Sequence, residues 1–296
     1  MKVAIIQGAP VLFNLTASLK KVEENCAEAK DKDAELVLFP EAFLSAYPRG
    51  LSFGSPVGSR SDEGRNLWLR FYESSFSFDG PEFEVLCNIA ATYKIYLVIG
   101  VNEKDEVNHT LYCSLLYFNP DGAFIGKHRK IKPTAAERII WGEGNKQPKV
   151  YKTHNGSIGG LICWENYMPD ARMSLYGQGV DIYLAPTADQ RDTWLATLTH
   201  IACEGRCFVL GCNQFVSKDM YPKDLPCSDD LAKEPEIMCR GGSVIISPFG
   251  KIIEGPLYDE EGILFADIDL KEVIKARMDM NAAGHYSRPD LFQLKK

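Results

Sequence analysis

Three strand-like runs end in residues that can do chemistry. Leu36-Val37-Leu38-Phe39-Pro40 ends at Glu41, Phe124 to Arg129 ends at Lys130, and Ile158 to Ile162 ends at Cys163. Taken singly, each has an ordinary reading. Glu41 caps a helix or faces water, Lys130 is a solvated charge, and Cys163 is a small buried apolar residue. Taken together they are a base, a cation and a nucleophile. Sites in α/β folds form where the carboxyl ends of strands converge, so three such ends can bring the three groups to one place. After Cys163 the chain turns towards a helical pattern, Asp170 to Gln178. A helix start close to the sulfur would favour its anionic form.

The elements that must position these groups follow from hydrophobic spacing. Val3 to Gln7 reads as a strand, and Asn14 to Lys30 as a helix with Leu15, Leu19, Val22 and Cys26 on one face. Further helices are predicted over Asn66–Glu73, Pro81–Thr92, Thr193–Glu204 and Leu270–Asp279. Further strands are predicted at Tyr96–Val101, Ile182–Ala185, Cys207–Asn213 and Ile263–Asp267. Leu111–Phe118 and Phe124–Lys130 flank Asn119-Pro120-Asp121-Gly122, and Ser243–Ile246 and Lys251–Glu254 flank Ser247-Pro248-Phe249-Gly250. Both are hairpin patterns. Strands and helices interleaved with hairpins argue for an α/β fold with mixed sheets.

Three stretches lack periodicity. Ala42–Ser61 carries Phe43, Tyr47 and Phe53 beside Glu41 and is read as a substrate lid. Ile131–Gln147 holds Glu137, Arg138 and Trp141, whose indole is a candidate pocket wall or loop anchor. Ser217–Cys239 is polar and is read as a surface insertion. Thr187 and Ala188, just beyond the Ile182–Ala185 strand, are further candidates for the pocket wall, as are Tyr47 and Trp164. Residues 280–296 are read as an extended C-terminal segment.

Composition narrows the function classes. The chain has 296 residues, 45% of them hydrophobic, enough for a large core. Its 33 basic and 40 acidic residues leave a net charge of −7, with no basic stripe to bind nucleic acid. No apolar run approaches the roughly 20 residues of a membrane span, and Met1 leads straight into a strand pattern. The expected compartment is the cytoplasm. Nine scattered cysteines are not a disulfide framework there. Cys203, Cys207 and Cys212 lack the paired spacing of a zinc site, so no metal is expected. A Cys–His hydrolase based on His128 or His200 is a rival reading. His128 is two residues from Lys130 and shares its face on a strand, whereas His200 reads as structural.

Phe39-Pro40-Glu41, His128-Arg129-Lys130-Ile131-Lys132-Pro133-Thr134 and Ile162-Cys163-Trp164-Glu165-Asn166 resemble the three signature blocks of the nitrilase superfamily, the carbon–nitrogen hydrolases. Glu137-Arg138-Ile139-Ile140-Trp141-Gly142-Glu143-Gly144, Ala185 to Asp189, Gly241 to Pro248 and Gly284 to Asp290 resemble its true-nitrilase branch. The likeness runs from Val3 to about Leu294. It implies a single domain over residues 1–296, built as a four-layer α-β-β-α sandwich. It implies a Glu41–Lys130–Cys163 triad, with Glu137 matching a second glutamate that supports the lysine. The reaction implied is hydrolysis of a small organic nitrile to a carboxylic acid and ammonia, with no cofactor. Homodimers and in some members larger assemblies come with the family. An amidase or carbamoyl hydrolase would use the same triad.

Overall fold

Alternate residues of the first strand face two different cores. Val3 and Ile5 belong to one buried cluster, Ala4 and Ile6 to another. Side chains along a strand point alternately to opposite faces, so this strand lies inside a layered structure with apolar packing on both sides. The structure, a computed structural model, describes residues 1–292.

Thirteen strands are present among these residues. They are β1 (Lys2–Gln7), β2 (Leu36–Leu38), β3 (Tyr96–Lys104), β4 (Leu111–Phe118), β5 (Phe124–Arg129), β6 (Tyr151–Thr153), β7 (Gly156–Gly160), β8 (Ile182–Pro186), β9 (Phe208–Cys212), β10 (Phe215–Ser217), β11 (Ile237–Ile246), β12 (Ile252–Tyr258) and β13 (Gly262–Asp267). The helices are α1 (Leu15–Asp31), α2 (Asp62–Glu73), α3 (Pro81–Tyr93), α4 (Pro169–Gly177), α5 (Thr193–Gly205) and α6 (Lys271–Asp279).

The first sheet runs β13-β1-β2-β3-β4-β5 and the second β10-β11-β9-β8-β7-β6, with β12 on β11. Both are mixed. β1, β2 and β3 are parallel neighbours, as are β7, β8 and β9, while hairpin partners and β13 run antiparallel. Leu36, Leu38 and Val98 of the first sheet share a cluster with Ile158, Ile182, Leu184 and Leu210 of the second. That cluster is the core between the sheets. Val37, Leu97 and Ile99 face Val22 and Cys26 of α1 and Leu86 and Ile89 of α3. Tyr183, Ala185 and Val209 face Leu175 of α4 and Leu198 and Ile201 of α5. The layers are therefore α-β-β-α, as the resemblance implied.

Four readings need correction. The Ala42–Ser61 stretch is not a lid in its first half. Phe43 is fully buried in the outer core, 5.0 Å from the Phe39 ring, and Leu44 bridges to Val101. Asn102 Nδ2 donates to the Ala46 carbonyl at 2.8 Å, so these apolar residues have both a core and a backbone partner. The helix expected from Asn66 starts at Asp62, because Ser61 Oγ accepts from the Gly64 N–H at 3.0 Å and caps it. Ser217–Cys239 is not a surface insertion. β11 reaches back to Ile237, and Tyr221, Leu225, Leu231, Met238 and Cys239 are buried. Finally, the tail is not extended where it is described. The Gly284 and Tyr286 N–H groups both donate to the Asn281 carbonyl, folding it into turns. Its last residues, 293–296, lie outside the described residues.

No helix among the described residues is long and apolar enough to cross a membrane.

Candidate active site

Glu41 follows β2 at the point where Pro40 ends the strand. Its carboxylate is fully buried, and its backbone carbonyl accepts from Gln214 Nε2 at 2.5 Å. A Cβ at Gly100 of β3 would collide with the Pro40 carbonyl and crowd Glu41 itself, so the bare glycine lets this segment lie flat on the sheet. Ala42, next along, has φ 49°.

Lys130 is the first residue beyond β5. Its N–H donates to the Cys113 carbonyl and its own carbonyl accepts from Gly144, both at 2.8 Å. The ammonium is fully buried and donates to Glu41 Oε1 at 2.6 Å and to Glu137 Oε2 at 2.7 Å. Glu137 sits in a single 3-10 turn, Ala135–Ile139. It accepts from the Thr134 N–H at 2.6 Å and from the Tyr47 hydroxyl at 2.8 Å. The candidate second glutamate is therefore a fixed partner of the lysine.

Cys163 begins the turn Cys163–Tyr167 after β7. Its φ of 51° is left-handed, a conformation that costs a non-glycine residue on the order of 1–3 kcal/mol and is held only when its surroundings enforce it. Asn166 enforces it. Its Nδ2 donates to the Cys163 carbonyl at 2.7 Å and to the Leu161 carbonyl at 3.0 Å, while its Oδ1 accepts from Tyr183 at 2.7 Å. The Thr187 hydroxyl, at the end of β8, donates to Cys163 Sγ at 3.1 Å.

The charges follow from burial. Desolvation pushes the Glu41 carboxyl above the usual carboxylate range. Lys130 opposes that rise and the charge of Glu137 adds to it. Burial works against the Lys130 ammonium, but Glu41 foremost, then Cys163, Cys113 and Glu137, hold it well above the ordinary lysine value. Burial and then the Glu41 charge push the Cys163 thiol up, against Lys130 and Thr187. This corrects the expectation of a helix start favouring the thiolate. Cys163 opens a 3-10 turn that runs to Tyr167, and α4 starts only at Pro169. Burial thus disfavours the thiolate, and a thiol here calls for a base. Glu41 Oε2 is buried with no hydrogen-bond partner among the described residues, leaving one oxygen uncommitted.

Sequence reasoning missed three contributors. Glu165 accepts from the Ile131 N–H at 2.6 Å, the Ile162 N–H at 2.7 Å and His128 Nε2 at 3.0 Å. It thereby ties the lysine segment to the cysteine segment. Cys113 Sγ lies 3.6 Å from Glu41 Oε1. Arg49 borders the same cavity as Cys163. None stands at a strand end, the signal that picked out the triad.

The cavity at Cys163 is about 400 Å³ and is bordered by Tyr47, Glu137, Trp164 and Ala188. A larger one of about 490 Å³, near Phe53 and Trp68, does not include the cysteine. Trp141 lines an adjoining cavity instead. It is buried, with Nε1 donating to Asn102 Oδ1 at 2.9 Å, so it anchors its loop as well. Trp164 is 39% exposed, its Nε1 donating to Asp189 Oδ2 at 2.9 Å at the rim. His128 is committed to Glu165, and the largely exposed His200 pairs with Glu204 at 3.5 Å. Among the described residues no cluster of three or more His, Cys, Asp or Glu is arranged to hold a metal ion.

Comparison with known proteins shows the family to which the chain belongs. The family model described as carbon-nitrogen hydrolase matches residues 2–278. A nitrilase of Bradyrhizobium diazoefficiens is 47% identical over 99% of this chain and 91% of its own. A bifunctional nitrilase/nitrile hydratase of Nicotiana tabacum is 45% identical over 99% of this chain and 85% of its own. Among solved structures, Nit3 of Saccharomyces cerevisiae, a member of branch 10 of the nitrilase superfamily, superposes with a TM-score of 0.74 at 22% identity, covering 97% of each chain. An amidase of Nesterenkonia sp. AN1 gives 0.72 at 18% identity, covering 95% of this chain and 98% of its own. At those identities the likeness is one of fold. The full-length family match and the close relatives establish that this chain belongs to the carbon–nitrogen hydrolase family, enzymes that hydrolyse carbon–nitrogen bonds.

Proposed function

We propose that the protein is a nitrilase, converting a small organic nitrile to its carboxylic acid and ammonia, with Cys163, Glu41, Lys130 and Glu137 as its catalytic machinery. The observation that carries this is the buried Glu41–Lys130–Glu137 chain whose charges act on the Cys163 thiol, with one Glu41 oxygen uncommitted among the described residues. The relatives' printed activities support the nitrile.

Glu41 takes the Cys163 proton as sulfur attacks the nitrile carbon, and the proton passes to nitrogen, giving a thioimidate. Lys130 neutralises the charge that grows on nitrogen. The Trp164 N–H, in the first turn after Cys163 where backbone donors lack intrahelical partners, is the second donor. One donor of this kind is worth about 3 kcal/mol of barrier. Water activated by Glu41 adds to the thioimidate, and ammonia leaves. A second water cleaves the resulting thioester and returns the thiol. Glu137 keeps Lys130 charged and aimed, and Tyr47 fixes Glu137. Thr187 steadies the sulfur, while Ala188, Trp164 and Trp141 shape the space around the substrate.

The same reading treats residues 1–296 as one catalytic domain, working as a homodimer at least, in the cytoplasm. Nine unpaired thiols suit that reducing compartment. The test is ammonia release from a panel of nitriles and the matching amides, beside Cys163→Ala. Nitrile turnover lost in the variant is the expected result. Amide turnover with inert nitriles would replace this reading by an amidase with the same triad.

A further inference from the structure

Most charged groups bordering the Cys163 cavity are matched by an opposite charge. Arg191 pairs with Asp189, and Glu137 with Lys130. Arg49 differs. It borders both the Cys163 cavity and the adjoining one at Trp141. No aspartate or glutamate oxygen lies within the 4.0 Å ion-pair distance of its guanidinium among the described residues. Its Nη2 donates to the Ala188 carbonyl. Its Nε is buried with no acceptor among the described residues. The guanidinium rests over the Tyr47 ring at 5.5 Å, and the Arg49 backbone is pinned by the Tyr221 hydroxyl at 2.9 Å.

A cation so placed carries a desolvation cost that no protein anion offsets. Nearby carboxylates do not answer it: Glu234, which borders the adjoining cavity with Arg49, lies beyond ion-pair distance of the guanidinium. The oxygens of Glu137 are taken by Tyr47, Lys130 and the Thr134 N–H, and those of Asp189 by Arg191 and Trp164. The planar fork fits a carboxylate with two parallel hydrogen bonds, which an ammonium would not give. Ala188, the residue Arg49 holds, is next to Thr187, which holds the sulfur. The anion site and the nucleophile are thus fixed to the same two-residue segment.

We propose that Arg49 binds a carboxylate on the substrate, so that the enzyme selects short cyano-carboxylates over uncharged nitriles. This rests on the nitrilase reading, since it takes the group at Cys163 to be the nitrile. The guanidinium anchors one end of the molecule and thereby places the other at the sulfur. Anchoring of this kind lowers KM through binding and raises kcat through orientation.

The test reads binding apart from turnover. Cys163→Ala is titrated calorimetrically with 3-cyanopropanoate and with its uncharged methyl-ketone isostere. The carboxylate is expected to bind at least about tenfold more tightly, a step of about 1.4 kcal/mol. Arg49→Gln in the same background is expected to erase that difference, and Arg49→Lys to keep part of it. Equal affinities, no binding of either ligand, or a difference that survives Arg49→Gln would each overturn the proposal. Should Arg49→Gln fail to fold, the ligand pair and Arg49→Lys decide alone: a smaller difference in Arg49→Lys supports the proposal, and an undiminished one overturns it. Ammonia release by the unaltered enzyme from 3-cyanopropanoate and from uncharged nitriles reports on the nitrile chemistry separately. Its absence together with selective carboxylate binding would sink the nitrilase reading and not the anion site.

Discussion

Thr187 donates its hydroxyl proton to Cys163 while its oxygen accepts the Asp189 N–H at 2.9 Å. The backbone amide occupies the oxygen's lone pair, and so directs the proton at the sulfur. A hydrogen bond to a charged acceptor is worth about 1.5–3 kcal/mol. Thr187→Ala is expected to lower kcat about 10- to 100-fold, and Thr187→Ser to restore most of it. The melting temperatures of the two variants, measured alongside, separate lost sulfur stabilisation from lost folding.

In the proposed mechanism Glu41 sets the acid limb of the rate profile. It must be deprotonated to accept the thiol proton, and burial raises its pKa above the usual carboxylate range. Activity on an uncharged substrate is therefore expected to fall, as pH drops, at a higher pH than an ordinary glutamate would give. The Glu137 charge contributes to that rise. Glu137→Gln should lower kcat and also move the limb towards lower pH. A limb that moves up or stays put would show that Glu137 acts on Lys130 alone.

Lys130→Met tests the buried charge balance. It leaves Glu41 fully buried without its cation, and breaking such a pair from one side costs about 3–5 kcal/mol. Denaturant unfolding at neutral pH is expected to show a loss of that order together with abolished turnover. The loss should shrink at acid pH, because protonation of Glu41 removes the stranded charge.

The Glu103 carboxyl is shifted in the opposite direction from that of Glu41. This buried residue accepts from Lys127 at 2.5 Å, from Arg129 Nε at 3.1 Å and from Ser114 at 2.6 Å. Burial would raise its pKa, but Arg129, Lys127 and Ser114 together bring it below the ordinary value. A depressed carboxyl stabilises the fold above its unfolded pKa of about 4.3. That stability is lost as pH falls through the folded value. Glu103→Gln is expected to melt well below the parent at pH 7 and to converge on it under more acidic conditions.

Gly100→Ala is expected to lose at least 100-fold in activity. The added methyl meets the Pro40 carbonyl and the Glu41 backbone, and misplacing a reacting group by about an ångström costs on that scale. Retained activity at full stability would mean that the Pro40–Glu41 segment yields without moving the carboxylate.

The candidate triad was legible because each member follows a short local run. The apolar runs Leu36–Leu38 and Ile158–Ile162 mark strands, and the candidate groups sit where those runs stop. Glu137 came only through family resemblance, since a glutamate in a loop has no local signature. The lid was misread because Phe43 and Leu44 carry no strand or helix period. Their burial comes from Phe39, Val101 and Asn102, contacts made across the sequence. Glu165 was quoted as part of a motif, yet its job joins Ile131 to Ile162, a link that only tertiary structure creates. Arg49 was passed over because the sequence shows a charge but not the absence of a partner for it.

The pairing of β1 with β13, from Lys2 opposite Asp267 to Gln7 opposite Gly262, also bears on how the enzyme is born. During synthesis β1, Lys2–Gln7, emerges long before its outer edge partner β13, Gly262–Asp267. At ordinary translation rates the interval is on the order of tens of seconds. Through that time the β1 edge presents unpaired backbone groups, a template for pairing with another nascent chain. The first sheet is complete only once Gly262–Asp267 has been made, and the interval before that is when a chaperone would matter most.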